Sequence, residues 1–260
     1  MKNYPIIIEN YPVALNPQKL KALDGNRFVI FNDLNSVPLY SNHSQKADVT
    51  MAYVCLRGHI RMNIDSKEYT ITPGMMTVLL PDHYIQHLEV SKDFVGVFLS
   101  LSRTLTREIF PQLSVLFFFI LNAKNTPCIH LKENELNLFM EYSTFLWKKI
   151  TTEYSADSRQ DILSGLLRAL FYEINNIQHK HCMKNWGKSP KEKLFLQFVN
   201  ELEQTLKTER NVSYYAKKLS VSSKHLSETV KEITGKPTGE WINYFVILEA
   251  KTLLLSSQKN

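Results

Sequence analysis

Residues 212–231 read VSYYAKKLSVSSKHLSETVK, a pattern that predicts two short helices joined by a tight turn. Ser213 is placed to cap the first helix and Ser222 the second, because a serine oxygen accepts a hydrogen bond from an unpaired amide at a helix start. Apolar residues recur at helical spacing in both segments: Ala216 and Leu219, then Leu226, Val230 and Ile233. The small side chain of Ala216 lets the helices cross closely, so the segment predicts a helix-turn-helix, a motif whose second helix fits a DNA major groove.

The residues that follow predict a third helix. Gly235 can adopt the left-handed conformation that ends a helix, and Pro237 prevents continuation. From Thr238 the apolar residues again have helical spacing: Trp241, Ile242, Phe245, Leu248, Leu253 and Leu254. We therefore expect a long helix at the end of the chain.

Several segments of this region occur in a fixed order: AKKLSVSSKHLS (216–227), KEITGKP (231–237), WI (241–242) and LEAKTLL (248–254). In order and spacing they are similar to the first half of the DNA-binding domain of the AraC/XylS family of bacterial transcription regulators. The resemblance implies a sequence-specific DNA-binding regulator, with activation as the commoner mode in the family. It also implies double-stranded DNA and RNA polymerase as partners.

The second helix supplies the predicted DNA contacts. Away from Leu226 and Val230, one side of it carries Lys224, Ser227, Glu228 and Lys231. Lysine suits a guanine edge or a phosphate, serine can contact more than one kind of base, and glutamate can accept a hydrogen bond from a cytosine amino group. Ser222, Ser223 and the helix N-terminus suit a phosphate. The alternative interpretation is an ordinary solvated helix face.

Domains of this family carry a second helix-turn-helix after the long helix, whereas this sequence ends at Asn260 before one. The resemblance therefore implies either a truncated protein or a naturally shortened relative, and we expect weak DNA binding. A competing hypothesis is an interaction protein that dimerises but binds DNA poorly.

The composition is that of a globular chain, since 44% of the 260 residues are apolar. A formal charge of +6 is compatible with a polyanionic partner. Cys55, Cys128 and Cys182 are odd in number and widely spaced, which favours a reduced cytoplasm over a disulfide framework or a zinc site. The longest apolar run, Leu113 to Leu121, is far shorter than the roughly 20 residues that span a bilayer. We expect a buried helix there and no membrane partner.

From Thr50 to Leu101 short runs of strand-forming residues alternate with turn signals, which predicts a sandwich or a small barrel. Within it, YTITPGMMTVLLP (69–81) resembles the cupin-like sensor barrel that precedes many AraC-type DNA-binding domains. That resemblance implies a small-molecule effector inside the barrel. The polar candidates for binding it are Tyr53, Arg61, His83 and His87.

Two helices are predicted after the strands, over Glu135 to Tyr154 and Asp161 to Ile177. The second helix has an apolar stripe that includes Leu163, Leu167, Leu170 and Ile174. In the resembling family such helices mediate dimerisation, which implies a homodimer. The alternative is that the stripe packs on the barrel of its own chain.

The expected fold is α+β in two domains. A cupin-like β-barrel with dimerisation helices occupies residues 1–178, a linker 179–189, and an incomplete all-α helix-turn-helix domain 190–260. The last domain begins with a capping box, in which Ser189 caps the helix, Pro190 takes its first position and Glu192 reaches back.

The sequence shows no catalytic constellation, so we expect neither an enzyme nor a cofactor. His83 and His87 are four residues apart in a turn and a strand, where they need not converge on a metal. His179, His181 and Cys182 are typical of a solvated linker. A cupin-type enzyme is the third hypothesis, and metal content and turnover separate it from the other two.

Overall fold

A computed structural model describes residues 28–31, 45–47, 49–81, 83–110, 112–151, 156–182 and 189–257. The described residues form two compact units. The sheet unit contains those up to Ile109 together with Asn122–Gln178, and the helical unit contains Phe110–Leu121 and the residues from His179 onward.

The sheet unit contains the strands predicted between Thr50 and Leu101 and three further strands outside that range. They are β1 (Phe28–Phe31), β2 (Gln45–Lys46), β3 (Val49–Arg57), β4 (Ile60–Ile64), β5 (Lys67–Ile71), β6 (Met75–Leu79), β7 (Tyr84–Val90), β8 (Val95–Ser102) and β9 (Cys128–His130). Asp65 and Ser66 join β4 to β5 with φ of 49° and 68°, a turn whose twist matches that of the strands. Gly58 joins β3 to β4 with φ of 70°, and a Cβ there would lie 2.8 Å from the Phe94 backbone.

The described strands form two sheets and not a closed barrel, which corrects the predicted cupin-like β-barrel. One sheet has the order β1-β8-β3-β6-β9 and the other β2-β7-β4-β5. Alternate residues of both sheets enter one apolar core, where Tyr53 and Phe98 of the first sheet lie with Ile60 and Met62 of the second. The alternation predicted the strands, but sheet closure depends on which distant edges pair, and the pattern along one strand does not determine that.

The helices are α1 (Arg103–Ile109), α2 (Leu113–Asn125), α3 (Glu133–Thr151), α4 (Ala156–Cys182), α5 (Pro190–Thr205), α6 (Val212–Lys218), α7 (Ser223–Thr234) and α8 (Thr238–Ser257). In the sheet unit, α1 contacts β3 and β8, and the hydroxyl groups of Thr106 and Thr50 lie 2.9 Å apart. Helix α4 continues to Cys182, so His179, His181 and Cys182 lie in a helix and not in an irregular linker.

The apolar stripe of α4 is buried within the single chain. Leu163 is 5% exposed, and Leu167, Leu170 and Ile174 are each 1% exposed. These side chains are therefore unavailable to a second copy, which corrects their expected role as a dimer seam. Helical spacing identified the buried side of α4, but it carries no information on whether the covering atoms belong to the same chain.

In the helical unit, the predicted helices all form. Ser189 caps α5 in a capping box with Glu192, and Pro190 is the first helical residue, as predicted. The apolar face of α5 is buried: Leu194, Phe195, Phe198, Val199 and Leu202. No helix in the described part of the chain is long and apolar enough to cross a membrane.

Candidate nucleic-acid interface

The first helix of the candidate site is capped two residues earlier than predicted. Asn211, not Ser213, is the cap of α6, and its side-chain oxygen accepts a hydrogen bond from the Ser213 amide at 3.1 Å. Asparagine is at least as good a cap as serine, and it precedes the first helical residue here. Ser213 therefore lies inside the first turn of α6 as an exposed residue.

The corner between α6 and α7 is closed by main-chain bonds. The amide of Val221 donates to the carbonyl of Ala216 at 3.0 Å, and Ser220 adopts a left-handed φ of 56°. Ala216 is 2% exposed, so a larger side chain would separate α6 from the residues packed on it. The tight turn predicted at Ser220-Val221 is confirmed.

Both ends of α7 have the predicted caps. The Ser222 hydroxyl accepts a hydrogen bond from the His225 amide at 3.1 Å. At the other end Gly235 has φ of 75°, and its amide donates to the Lys231 carbonyl at 2.8 Å. Leu226 and Val230 are fully buried, which fixes the rotation of α7 about its axis.

The opposite side of α7 carries the predicted contact residues. Lys224, Glu228 and Lys231 are exposed and Ser227 is half-buried. The Lys224 and Glu228 side chains lie 3.9 Å apart as an ion pair one helical turn long. The carboxylate therefore offsets part of the positive charge that this face would offer to DNA. Ser223 is exposed at the helix start, whereas the hydroxyl of Ser222 is engaged in capping.

The sequence interpretation missed a pair of lysines beside the turn. Lys217 and Lys218 end α6, and both are exposed. Elsewhere in the helical unit, several lysines lie within 4.0 Å of a carboxylate: Lys191, Lys207, Lys224 and Lys236. Among the described residues, no carboxylate lies within that distance of Lys217, Lys218 or Lys231. Their charges remain available to a polyanion, and the only sequence signal was a doublet of lysines next to the turn.

Aromatic side chains pack α6 against α5. Phe198 of α5 meets Tyr215 of α6 edge-on with ring centroids 5.5 Å apart, and both are fully buried. The Tyr215 hydroxyl donates to the Glu209 carbonyl at 2.8 Å. The two rings therefore hold α6 against α5.

Two of the four effector candidates, Tyr53 and Arg61, lie on different faces of the sheets. Tyr53 is buried between the sheets, where its ring stacks on Phe98 at 4.8 Å and its hydroxyl lies 3.6 Å from the Met62 sulfur. Arg61 lies on the outer face of β4 and contacts Glu89 at 3.3 Å and Glu68 at 3.6 Å. The alternation of Ile60, Arg61 and Met62 could have indicated this outward position.

The two histidines among the candidates lie in and beside β7. His83 is 2% exposed, its Nδ1 accepts a hydrogen bond from the Leu80 amide at 3.4 Å, and its Nε2 lies 3.7 Å from an Asp65 oxygen. The backbone of His87 pairs with Met62. Within the described ranges no three His, Cys, Asp or Glu side chains are grouped as metal ligands.

Two cysteine thiols lie near the core of the sheet unit. Burial raises the pKa of Cys55 to about 12 and that of Cys128 to about 11. A hydrogen bond from the Thr77 hydroxyl to the Cys128 sulfur, 3.5 Å long, opposes the second increase. These thiols are therefore poor nucleophiles at neutral pH.

The raised thiol pKa values imply that the sheet unit weakens in alkali. An unfolded thiol ionises near its ordinary pKa of about 8.5, while the folded chain keeps it protonated. The contribution to stability is thus fully present below about pH 8.5 and is lost as the pH rises toward 11 to 12. Denaturant unfolding at several alkaline pH values should show this loss, and Cys55→Ala with Cys128→Ala should reduce it. An unchanged pH dependence in the double variant would contradict the thiol assignment.

No family model and no curated protein matches the sequence. Solved structures do match it. The AraC-like transcriptional activator CuxR is 11% identical over 86% of this chain and 77% of its own, with a TM-score of 0.41. ToxT from Vibrio cholerae is 10% identical over 83% of this chain and 97% of its own, with a TM-score of 0.32. Fatty-acid-bound ToxT is 12% identical over 78% and 90%, with a TM-score of 0.33. The solved structures that match this chain thus include the AraC-like transcriptional activator CuxR and ToxT from Vibrio cholerae.

Proposed function

We propose that the protein is a sequence-specific DNA-binding transcription regulator of the AraC type, and that α7 is its reading helix. The proposal rests on how α7 is held. Helix α7 is capped at both ends and fixed by buried Leu226 and Val230, while its opposite side is exposed. A second helix held across a tight turn in this way is the arrangement that enters a major groove.

The contacts divide by chemistry. Lys217, Lys218 and Lys231 have no carboxylate partner among the described residues, and we assign them to phosphates. Lys224 and Ser227 are assigned to base edges, and Glu228 to a cytosine amino group. Ser223 and the amides at the start of α7 suit a phosphate, whereas Ser222 acts chiefly as the cap. Phosphate contacts would supply most of the affinity, and base contacts the selectivity.

We further propose that the sheet unit regulates this activity in response to a small-molecule effector, in the cytoplasm, and that RNA polymerase is a partner. The sequence segments shared with AraC-type sensor and DNA-binding domains support this. Within the sheet unit, Tyr53 and His83 are the buried polar candidates, since Arg61 lies on the outer face.

Homodimerisation, also part of the proposal, requires residues other than the buried stripe of α4. Helix α3 offers Phe145, which is 46% exposed with the Lys149 ammonium 5.1 Å from its ring centre. We expect Phe145→Glu to release monomers, because the charge would be buried at the seam. Sedimentation equilibrium of both proteins measures this. A wild-type chain that is monomeric at micromolar concentration would exclude the dimer.

The direct test of the proposed function is fluorescence anisotropy with a labelled mixed-sequence duplex at several salt concentrations. Binding should weaken linearly in log–log form as salt rises, with a slope of about −0.9 per phosphate contact. Binding that does not respond to salt, or no binding at low salt, would contradict a role for α7 and its lysines.

Glu228→Gln should strengthen binding to mixed-sequence DNA. The substitution removes a negative charge that faces DNA and releases Lys224 from its ion pair, so we expect a several-fold gain at low salt. Glu240→Gln is the matched control, because Glu240 also pairs with a lysine four residues away but lies on α8. Equal effects of the two substitutions would show only a change in net charge.

A further inference from the structure

Part of α2 lies in the aromatic core of the helical unit. Residues 110–121 are separated in sequence from the rest of this unit, since they fall between β8 and β9. Phe117 is fully buried, and its ring centre lies 4.4 Å from that of Trp241, 5.2 Å from Phe195 and 5.4 Å from Phe245. The helical unit is therefore built from two separate parts of the chain.

Trp241 connects Phe117 to the end of α7. The indole Nε1 of Trp241 donates a hydrogen bond to the Thr234 hydroxyl at 2.7 Å. Thr234 is the last residue of α7, and its hydroxyl lies 2.7 Å from the Val230 carbonyl one turn earlier. A displacement of the Trp241 ring would therefore remove one of the hydrogen bonds at the C-terminal end of α7.

We propose that Phe117 is a positioning residue for DNA recognition, which acts through Trp241 and Thr234 on the end of α7. The ring of Phe117 packs against the ring of Trp241. The indole in turn donates one hydrogen bond to Thr234 at the end of α7. The DNA effect rests on the proposed function, whereas the effect on Trp241 does not.

The main chain on both sides of residues 110–121 belongs to the sheet unit, so the sheet unit is covalently connected to a segment of the aromatic core. The chain enters the helical unit at Phe110 and returns to the sheet unit at Asn122. Any change that withdraws residues 110–121 would expose Phe195, Trp241 and Phe245 to water, at the cost of their buried apolar area. Loss of this segment would therefore also disturb the Trp241 ring that donates to Thr234.

The experiment uses the full chain with Trp241 as its only tryptophan, produced by Trp147→Phe and Trp186→Phe. Phe117→Ala, Phe117→Leu and the half-buried neighbour Phe118→Ala are compared in that background. We expect Phe117→Ala to shift Trp241 emission to the red and to increase its quenching by acrylamide. It should also lower discrimination between a selected duplex and the mixed-sequence duplex about tenfold, the amount carried by one good base contact. Phe117→Leu should restore both properties in large part, and Phe118→Ala should change them less.

Trp241→Phe covers the case in which Phe117→Ala does not fold. It keeps an aromatic ring in the core but removes the N–H that anchors Thr234, so we expect a folded protein with the same loss of discrimination. Unchanged Trp241 emission in Phe117→Ala, or unchanged discrimination in a folded Trp241→Phe, would overturn the proposal. If Trp241 responds as expected but even the unsubstituted chain binds no DNA, the proposed function fails while the link between Phe117 and Trp241 stands.

Discussion

Replacing Lys217, Lys218 and Lys231 together with glutamine is expected to weaken DNA binding about a hundredfold or more at about 0.1 M salt. Each phosphate contact contributes about 0.9 to the slope of log affinity against log salt, so three contacts reduce the slope by about 2.7. The loss should be similar for all sequences, because phosphate contacts carry no base information. Fluorescence anisotropy over a salt series measures both quantities.

The chain offers a matched control with the same change in charge. Lys191, Lys207 and Lys236 also lie in the helical unit, but each has a carboxylate within 4.0 Å. Their replacement with glutamine should change the slope much less than replacement of the lysines around the turn. Equal slopes for the two triple variants would mean that net charge alone attracts DNA.

Phe198→Ala is expected to destabilise the helical unit by about 3 to 5 kcal/mol, the usual range for a fully buried phenylalanine. The cavity would lie beneath Tyr215, whose ring centre is 5.5 Å away, so α6 would lose its support on α5. DNA binding should fall with the population of the folded unit. Denaturant unfolding followed by emission from Trp241 as the only tryptophan measures the change.

Phe98→Ala is the control for this result. Phe98 is 1% exposed in the core of the sheet unit, so the two substitutions remove the same atoms from different cores. We expect Phe98→Ala to leave the Trp241 transition nearly unchanged. An equal shift by both variants would show that the two units unfold as one.

Local features were predictable because their causes are local. The caps at Ser189, Ser222 and Gly235 each depend on hydrogen bonds within one helical turn, and all three form as expected. The miss at Ser213 has the same origin, since a competing cap at Asn211 lies two residues earlier. Asparagine and serine both suit the N-cap position, but only Asn211 directly precedes the first helical residue.

Features that depend on distant residues were not predictable from the pattern. The strand β9 has three residues and forms only because β6 offers an open edge to pair with. The two sheets, in place of a closed barrel, likewise result from pairing between distant strands. The contacts of Phe117 also depend on distant residues. Its apolar run predicted burial, but not the aromatic partners Phe195, Trp241 and Phe245.

The exposed side of α7 was predictable from the sequence, whereas the outward position of Arg61 was missed. Helical spacing was enough to predict which residues of α7 face outward, because burial of Leu226 and Val230 fixes the rotation of the helix about its axis. It did not show that Glu228 pairs with Lys224, or that Lys217 and Lys218 have no carboxylate partner in the described part of the chain, because ion pairs depend on side-chain geometry. Polarity alone does not separate Tyr53 from Arg61, whereas the alternation of residues along β4 directs Arg61 outward.

Selection of bound duplexes from a random-sequence pool, followed by sequencing, shows directly whether α7 reads DNA sequence. We expect an enriched motif about as long as one major-groove segment, and loss of preference at one or two of its positions in Lys224→Ala. Each such position should be worth about 1 to 3 kcal/mol. No enrichment by the wild-type protein, or an identical motif from Lys224→Ala and Ser227→Ala, would contradict the assignment of α7 as the reading helix.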